Sequence, residues 1–407
     1  MKNKIIFTTF IIYIIASIAV YNLFINTTNK ELNKNFMGEI RNIKDIYVIG
    51  WEDFPHEIID KFNKEYPYIK INYEKTDKQN YSNLLKAKIA SKGQVDIMSI
   101  MPNDYKYFID KGYLMDISKE AYLDHYIPKI REEVKELSGL DKEYVVCYKS
   151  YVYGVWYNKT LFEKWQIDIP SNYNEFLDVC KKIKKQGVSP LVLGVRDNWY
   201  SNYIYLLRLP QIDEKNREWM DKSKRVSLGF ENPEVKSIRQ DIEKFIKEDN
   251  LMPDSKYLTY YQAFYEFSRG KAAMMIADDD SLGLVTSNME KVMEPGVFPL
   301  PYNTQGVTTK TPKNSQALMM GIFSHSEHTE EAKIFLAYLS RPEIAQMYCD
   351  LMAFPPNIKG VNSRNIKYNY LWETIRDMPE TELSIDNLHP ETLNQFNLEL
   401  REVIKKE

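Results

Sequence analysis

Four short apolar segments of this chain are each followed at once by a run of polar and aromatic residues. The segments are IYVIG, VDIMSI, PLVLGV and AAMMIA, and each has the length and composition of a buried strand. The residues that follow them are Trp51, Glu52 and Asp53; Asn103 and Asp104; Arg196 to Tyr200; and Asp278, Asp279 and Asp280. In open α/β sheets, ligands bind just beyond the carboxyl ends of the strands. The pattern therefore predicts two sheets whose strand ends face a common cleft.

Such a cleft favours the capture of a small polar ligand over catalysis. The chain contains no G-x-S-x-G, no Walker A and no H-E-x-x-H motif. Paired acids can hydrolyse glycosides, but nothing in the sequence assigns acid and base roles to two of them. His325 and His328 precede a helix that Ser326 or Thr329 can cap, which does not indicate a metal site. We therefore predict no enzymatic activity, no cofactor and no metal.

The composition of the chain limits the classes of molecule that it is predicted to bind. The 407 residues suffice for roughly two or three domains of ~150 residues each. A net charge of −3 gives no basic footprint, so nucleic acid is not a predicted partner. The 30 tyrosines suit recognition of sugars or peptides, because tyrosine combines an apolar face with a hydroxyl. For any single tyrosine, the alternative to a role in recognition is drift in the overall amino-acid composition.

The N-terminus carries a hydrophobic segment. Two lysines in MKNK precede residues 5–29, which contain no charged side chain, and about 20 such residues span a bilayer. Ser17-Ile18-Ala19 resembles a cleavage site, yet apolar residues continue beyond it. Residues 1–29 are therefore predicted to be a signal peptide or a helical membrane anchor, and 30–44 a linker. No cysteine lies nearby, which excludes a lipoprotein.

From Asp45 onward, strand and helix patterns alternate, which predicts an α/β fold with a parallel or mixed sheet. The first segments form a βαβαβ unit, with one helix starting at Pro55. YVVCYKSYVYGVWYN is a long stretch of strand character that can cross from one lobe to another. NTQGVTTKTPKNSQ is predicted to be a polar loop before the strand ALMMGIF, and Thr329–Leu339 to be an amphipathic helix.

Three fragments, in this order, resemble the extracellular solute-binding proteins of ABC importers, the family that includes maltose-binding protein. They are YGVWYNKTLFEKWQIDIPSNYNEFLDVCKKIKKQGVSPLVLG, GKAAMMIADDDSL and ALMMGIFSHSEHTEEAKIFLAYLSRPEIAQMY. The resemblance covers nearly all of residues 45–360. It implies a two-lobed periplasmic-binding-protein-like fold that closes about a hinge, with residues 45–151 and 298–340 in lobe 1 and 152–297 and 341–407 in lobe 2.

The resemblance also implies a set of ligand-binding residues. They are Trp51, Glu52, Asp53 and Asp104 from the first lobe; Asp197, Trp199, Asp278, Asp279 and Asp280 from the second; and Tyr151 at the hinge. In this family's sugar binders a tryptophan usually occupies the position of Asp280, so the aspartate argues against a simple hexose. The absence of a lipidation cysteine also departs from the usual anchored form.

These residue types suit a saccharide, which needs flat aromatic faces and carboxylate acceptors. Trp51, Trp199 and Tyr200 are the predicted faces. Ligand contact is favoured for Glu52 and Asp53, because Pro55 already begins the helix. Asp104 either contacts the ligand or caps the helix that follows it.

The aspartate triplet, Asp278 to Asp280, leaves two readings open. Its mutual repulsion is relieved by a polyamine, an amino sugar, Ca²⁺ or Arg196. Alternatively, the triplet is the solvated N-terminus of a helix, where acidic residues are favourable.

The predicted function is that of the substrate-binding component of an ABC importer, capturing a carbohydrate by hinge closure. Its partners are the permease subunits and, through the N-terminal segment, the membrane, and its location is the extracellular face of the cell membrane. It is predicted to act as a monomer. Two alternatives remain: a membrane-anchored ligand sensor for a signalling partner, and a polyamine or cation receptor.

Overall fold

The computed structural model describes residues 43–209, 233–278, 293–303, 311–352, 356–362, 371, 374, 378, 380–381 and 388–405. The predicted N-terminal helix, residues 30–42 of the linker, Asp279 and Asp280 lie outside these ranges. No helix within them combines the length and the hydrophobicity that crossing a bilayer requires.

The described residues include nine strands. They are β1 (Lys44–Gly50), β2 (Ile69–Lys75), β3 (Ile97–Ile100), β4 (Val146–Asn158), β5 (Ser189–Val192), β6 (Ala272–Asp278), β7 (Pro295–Phe298), β8 (Thr311–Ile322) and β9 (Glu380–Thr381).

Twelve α-helices lie in the same ranges. They are α1 (His56–Glu65), α2 (Tyr81–Ala90), α3 (Pro102–Asp110), α4 (Pro128–Ser138), α5 (Lys159–Trp165), α6 (Tyr173–Lys184), α7 (Asn198–Ser201), α8 (Pro233–Lys247), α9 (Tyr260–Ser268), α10 (Thr329–Leu339), α11 (Pro342–Met352) and α12 (Pro390–Lys405). Short 3₁₀ helices span Ala121–His125, Asn202–Leu207 and Pro253–Tyr257.

The strands form a mixed sheet in the order β2-β1-β3-β8-β4-β6-β5, with β7 on β4 and β9 on β8. β1 pairs in parallel with both β2 and β3, so the βαβαβ prediction for the start of the fold is confirmed. β8 and β4 run antiparallel to their neighbours in the middle of the sheet. The fold is therefore mixed α/β, as the alternating pattern predicted.

Helix α6 shows how local sequence sets these elements. Phe176, Val179, Cys180 and Ile183 recur at helical spacing and are all buried. The Asn172 side chain caps the helix by accepting a hydrogen bond from the Glu175 N–H at 3.1 Å. The spacing of the apolar residues thus sets the buried side of the helix.

Strand β4 runs between two hydrophobic clusters. Its beginning, including Tyr148, packs with residues of β1 to β3, whereas Tyr153 and the residues after it pack with those of β5 to β7. Tyr151 belongs to neither cluster, and the pairing with β8 shifts register on both sides of Lys149. We call the cluster that contains β1 to β3 the first cluster and the one that contains β5 to β7 the second cluster. The bulged middle of β4 joins the two.

The two clusters divide the chain differently from the predicted lobe ranges at two places. Phe298, Leu300 and Tyr302 pack in the second cluster, although the prediction began a lobe 1 segment at residue 298. Ile344, Tyr348 and Ile358 pack in the first cluster, although the prediction placed residues from 341 onward in lobe 2. The lobe assignment itself stays a prediction.

Strand β8 begins earlier than predicted. Residues 311–316 lie in the segment predicted to be a polar loop, but they belong to the strand. Asn314 pairs with Tyr151 and Lys313 with Val152 of the long strand β4. The loop prediction is wrong for these residues because β4 supplies hydrogen-bond partners that the local sequence does not reveal.

Candidate functional site

A cavity of about 580 Å³ lies beyond the carboxyl ends of β1, β2 and β6 and beside the helices that follow β5. Its lining residues come from both hydrophobic clusters and from the chain segments between them. They are Trp51, Glu52, Asp53, Lys75, Thr76, Asp77, Lys78, Tyr151, Asp197, Trp199, Thr259, Tyr260, Tyr261, Asp278, Leu351 and Met352.

Most of the residues predicted from strand ends meet in this cavity. The predicted residues that line it are Trp51, Glu52, Asp53, Tyr151, Asp197, Trp199 and Asp278. Asp104 does not line it, and Asp279 and Asp280 lie outside the described residues. Whether the lining residues bind a ligand stays a prediction.

Glu52 lies at the centre of a buried polar network. Its carboxylate oxygen Oε1 accepts hydrogen bonds from the Tyr151 hydroxyl at 2.5 Å and from the Trp51 indole Nε1 at 3.0 Å. Its other oxygen, Oε2, is 3.2 Å from Nζ of Lys149, whose side chain is completely buried. The network fixes the rotamer of Glu52 against the middle of β4.

The charge state of Glu52 follows from this network. Burial raises the pKa of its carboxyl, but the positive charges of Lys149 and Lys78 and the hydrogen bond from Tyr151 oppose that effect and prevail. The pKa of Glu52 is therefore lower than its ordinary value. Glu52 is an ionised acceptor held in place before any ligand arrives.

Asp53 lies further out, on the rim of the cavity. Its carboxylate forms an ion pair of 2.5 Å with Lys75 at the end of β2, and both side chains are largely exposed. Exposed pairs of this kind contribute about 0–1 kcal/mol, so either partner can exchange its contact for another at little cost.

Trp199 provides an aromatic face in the cavity. It contacts Tyr260 at a centroid distance of 5.2 Å, and the ammonium group of Lys78 lies 4.4 Å from the centre of its ring. Lys78 also lies 5.7 Å from the ring of Tyr151. Because Lys78 follows β2 and Trp199 follows β5, this cation–π contact bridges the two sides of the cavity.

Asp197 shows the opposite electrostatic behaviour from Glu52. Burial raises the pKa of its carboxyl, and the negative charge of Asp77 across the cavity raises it further. A hydrogen bond of 2.7 Å from the Tyr260 backbone N–H and the charge of Arg196 counteract only part of this. The pKa of Asp197 is therefore above its ordinary value. A hydrogen-bond donor or a cation that entered the cavity would reduce the electrostatic repulsion between Asp197 and Asp77.

Asp278 is the last residue of β6 and is buried. Its carboxylate Oδ2 accepts a hydrogen bond of 3.0 Å from the Tyr203 hydroxyl. The reading of the triplet as a solvated helix N-terminus is wrong for Asp278, because this residue ends strand β6 and is buried.

Two predicted roles are corrected by the structure. Asp104 lies inside α3, which begins at Pro102 after the N-cap residue Met101, because proline is favoured in a first turn. Instead of capping this helix, Asp104 forms an ion pair of 2.7 Å with Lys86. Tyr200 was predicted to offer an aromatic face, but it is fully buried and donates its hydroxyl to the Ile276 carbonyl.

Several residues of the site were not predicted. Thr76, Asp77 and Lys78 follow β2 in the same way as Trp51 follows β1, so the strand-end rule would have found them. Lys149 had a signal too, since a lone lysine in an apolar strand needs a buried counter-charge. Tyr260 and Tyr261 follow Thr259, whose capping box with Gln262 marks a helix start. No sequence pattern identifies Leu351 and Met352 as residues of the site.

The described residues contain no group of three or more acidic, histidine or cysteine side chains arranged to hold a metal ion. His325 instead packs against the rings of Tyr113 and Phe323, with centroids 6.2 and 5.3 Å away.

A mixed α/β fold with a polar and aromatic cavity at its strand ends is typical of proteins that bind small ligands. The chain belongs to the family of bacterial extracellular solute-binding proteins, whose family model matches residues 51–346, more than half of the 407 residues. The predicted family is therefore confirmed. Its members bind solutes for transport and are not enzymes, and the family fits an extracellular location.

Known relatives agree with this assignment. The multiple sugar-binding protein of Streptococcus mutans is 27% identical over 320 residues, covering 75% of this chain and 72% of the relative. The SBP RafE in complex with raffinose has a TM-score of 0.68 at 20% identity, covering 88% of this chain and 99% of that one. A chitin oligosaccharide binding protein has a TM-score of 0.74 at 17% identity, covering 89% and 94%. At such identities the solved structures show a shared fold.

Proposed function

We propose that this chain is the extracellular substrate-binding component of an ABC importer and captures a carbohydrate in the cavity. The observation that carries the proposal is the pairing of the Trp199 face with ionised, preoriented Glu52 in a space of about 580 Å³. Ligand pockets typically measure ~300–1,000 Å³ and place a few polar groups among aromatic walls.

The chemistry of the lining supports a saccharide. Sugar rings present C–H faces that pack on aromatic rings, and their hydroxyls donate to carboxylates in bonds worth ~1.5–3 kcal/mol each. The named ligands of similar proteins, which are multiple sugars, raffinose and chitin oligosaccharides, are of the same class.

Closure about a hinge is the proposed mode of capture. The bulged middle of β4, with Tyr151, joins the two hydrophobic clusters and lines the cavity, so rotation there changes the distance between Lys78 and Trp199. Ligand shifts the population toward the closed form by contacting both sides at once. The predicted two lobes, the permease partners, attachment through residues 1–29 and a monomeric state belong to this proposal.

A binding screen tests the proposal. The purified chain is melted with neutral oligosaccharides, amino sugars, polyamines and divalent cations, and a ligand at 100 times its Kd should add about 2.7 kcal/mol of stability. Trp199→Ala should abolish the shift, because it removes the aromatic face. The control variant is Tyr68→Ala, which truncates a partly exposed tyrosine just before β2, at the opposite end of that strand from the cavity.

A polyamine or other cationic ligand is the second candidate, favoured by the charge of the lining. Among the described residues, the lining acids are Glu52, Asp53, Asp77, Asp197 and Asp278, and the lining bases are Lys75 and Lys78. Binding that weakens steeply with salt and is lost in Asp197→Asn would support this candidate over a neutral sugar. Failure of every compound to bind would favour the anchored-sensor alternative.

A further inference from the structure

Three tyrosines beside the cavity are strongly exposed. Tyr257, Tyr261 and Tyr265 leave 64%, 61% and 58% of their surface open to solvent, and they recur every four residues. We call these three residues the tyrosine face. Scattered exposed apolar residues need no explanation, but clustered ones mark binding surfaces.

Helix α9 carries Tyr261 and Tyr265, and the 3₁₀ helix Pro253–Tyr257 that precedes it carries Tyr257. Its buried side, which includes Ala263, Phe264 and Phe267, packs into the second hydrophobic cluster. Tyr261 and Tyr265 are one helical turn apart, so both lie on the other side of the helix. The capping box between Thr259 and Gln262 fixes the start of the helix and so the positions of Tyr261 and Tyr265 along it.

The tyrosine face continues the aromatic wall of the cavity. Trp199 contacts Tyr260 at 5.2 Å, and Tyr260 contacts Tyr261 at 5.3 Å between ring centroids. Tyr261 itself lines the cavity, whereas Tyr257 and Tyr265 do not. A row of rings therefore leads from the buried Trp199 side of the cavity to the surface.

Hydrogen-bonding groups flank the outer rings. The guanidinium of Arg269 lies 5.3 Å from the ring centre of Tyr265 and within 3.8 Å of Glu266. The ammonium of Lys256 lies 5.5 Å from the ring centre of Tyr257. Flat aromatic faces bordered by charged donors and acceptors match a sugar ring, whose C–H face is apolar and whose rim carries hydroxyls.

We infer that the tyrosine face is an outer binding surface for the part of a linear oligosaccharide that protrudes from the cavity. This inference rests on the proposed function and extends it, because it selects chains of several sugar units over mono- and disaccharides. The continuity of the aromatic row with the cavity is the reason to assign the surface to the same ligand and not to a protein partner.

Titration calorimetry on the full chain tests the inference with xylo- and chito-oligosaccharides of two to six units. In the unmodified chain, affinity should rise with length. Tyr265→Ala should weaken the longest binding saccharide about fivefold, a modest loss that equals about 1 kcal/mol. It should leave the disaccharide unchanged, because Tyr265 lies outside the cavity. Tyr265→Phe should retain the full affinity, since it keeps the ring.

Tyr68→Ala is the matched control, because it removes an exposed tyrosine, 41% open, that precedes β2 at the end of the strand opposite the cavity. Affinity that is independent of length, or equal effects of Tyr265→Ala and Tyr68→Ala, would overturn the inference alone. An equal loss for short and long saccharides in Tyr265→Ala would also overturn it. If no saccharide binds the unmodified chain, the proposed function fails together with the inference.

Discussion

Glu52 and Asp197 line the same cavity from opposite sides, yet their pKa values move in opposite directions. Glu52 is the more deeply buried of the two, but Lys149, Lys78 and Tyr151 stabilise its charge. Asp197 is half-buried, faces the like charge of Asp77 and receives one backbone hydrogen bond. The comparison shows that neighbouring charges, and not burial alone, decide which carboxylate is satisfied before a ligand binds.

This difference indicates that Glu52 and Asp197 have different roles in the cavity. The Glu52 side is a finished network that holds an acceptor in one orientation and joins the two hydrophobic clusters. The Asp197 side carries unfavourable electrostatic energy that a ligand hydroxyl or cation can relieve. If the proposed function is right, we expect Glu52 to orient a ligand and Asp197 to contribute binding energy.

The variant with the largest expected effect removes Lys149, the buried cation that pairs with Glu52. Lys149→Met should destabilise the fold by ~3–5 kcal/mol, because one buried charge would lose its partner. Urea unfolding measures the change, and the double variant Lys149→Met/Glu52→Gln should recover part of it. Lys86→Met breaks the more exposed pair with Asp104 and should cost about 1 kcal/mol or less. Equal costs for the two single variants would contradict the comparison.

Tyr151→Phe removes the hydroxyl that donates to Glu52 at 2.5 Å. A hydrogen bond to a charged acceptor contributes ~1.5–3 kcal/mol, and a loss of this size is expected in urea unfolding. The control is Tyr122→Phe, because the buried Tyr122 hydroxyl has no hydrogen-bond partner among the described residues. Removing the Tyr122 hydroxyl should leave the free energy of unfolding unchanged or raise it. An equal loss in both variants would show that the hydrogen bond from Tyr151 to Glu52 does not stabilise the fold.

Lys78→Met tests the contact that bridges the two sides. A cation–π interaction at such a site contributes ~0.5–1 kcal/mol, so stability should fall by that amount. A double-mutant cycle with Trp199→Leu should show that the two changes are not additive. Strict additivity would mean that the ammonium and the indole do not interact in solution.

The smallest expected effect concerns pH. Because the pKa of folded Glu52 lies below its ordinary value of 4.5, ionised Glu52 stabilises the fold, and this contribution is lost as pH falls below 4.5. Asp197 behaves in the reverse sense. Its raised pKa makes the carboxylate unfavourable, and protonation relieves this as pH falls toward 3.8.

Glu52→Gln should therefore flatten the loss of stability below pH 4.5, whereas Asp197→Asn should make the loss slightly steeper just above pH 3.8. The effect of Asp197→Asn is expected to be about 0.5 kcal/mol or less, since solvent screens a half-exposed group. Urea midpoints measured across this pH range give both slopes. Changes of the same sign in the two variants would refute the opposite pKa directions.

Part of the site was predictable because strand ends are a local property. Trp51, Glu52 and Asp53 follow a strand whose βαβαβ context is visible in the sequence, and parallel strands bring their carboxyl ends to one edge. Thr76, Asp77 and Lys78 follow the end of β2 and obey the same rule. Asp104 was misassigned because Pro102, two residues earlier, already starts the helix.

Other features depend on pairs of residues far apart in the chain. The contact between Glu52 and Lys149 joins residues 97 positions apart, and that between Lys78 and Trp199 joins two different strand ends. Residues 311–316 are strand only because β4 lies beside them. A local pattern cannot specify such partners, since each depends on where another segment of the chain folds.

The α/β class and the strand ends that carry the polar residues follow from the sequence, because hydrophobic period and turn residues act over a few positions. The family follows from the three fragments that resemble it. The fold settles what the sequence leaves open: the pKa of Glu52 is lowered, that of Asp197 is raised, and Tyr257, from a 3₁₀ helix, and Tyr261 and Tyr265, from α9, are exposed. Those properties arise from distances between residues that the chain brings together in folding, and burial and charge act through these distances.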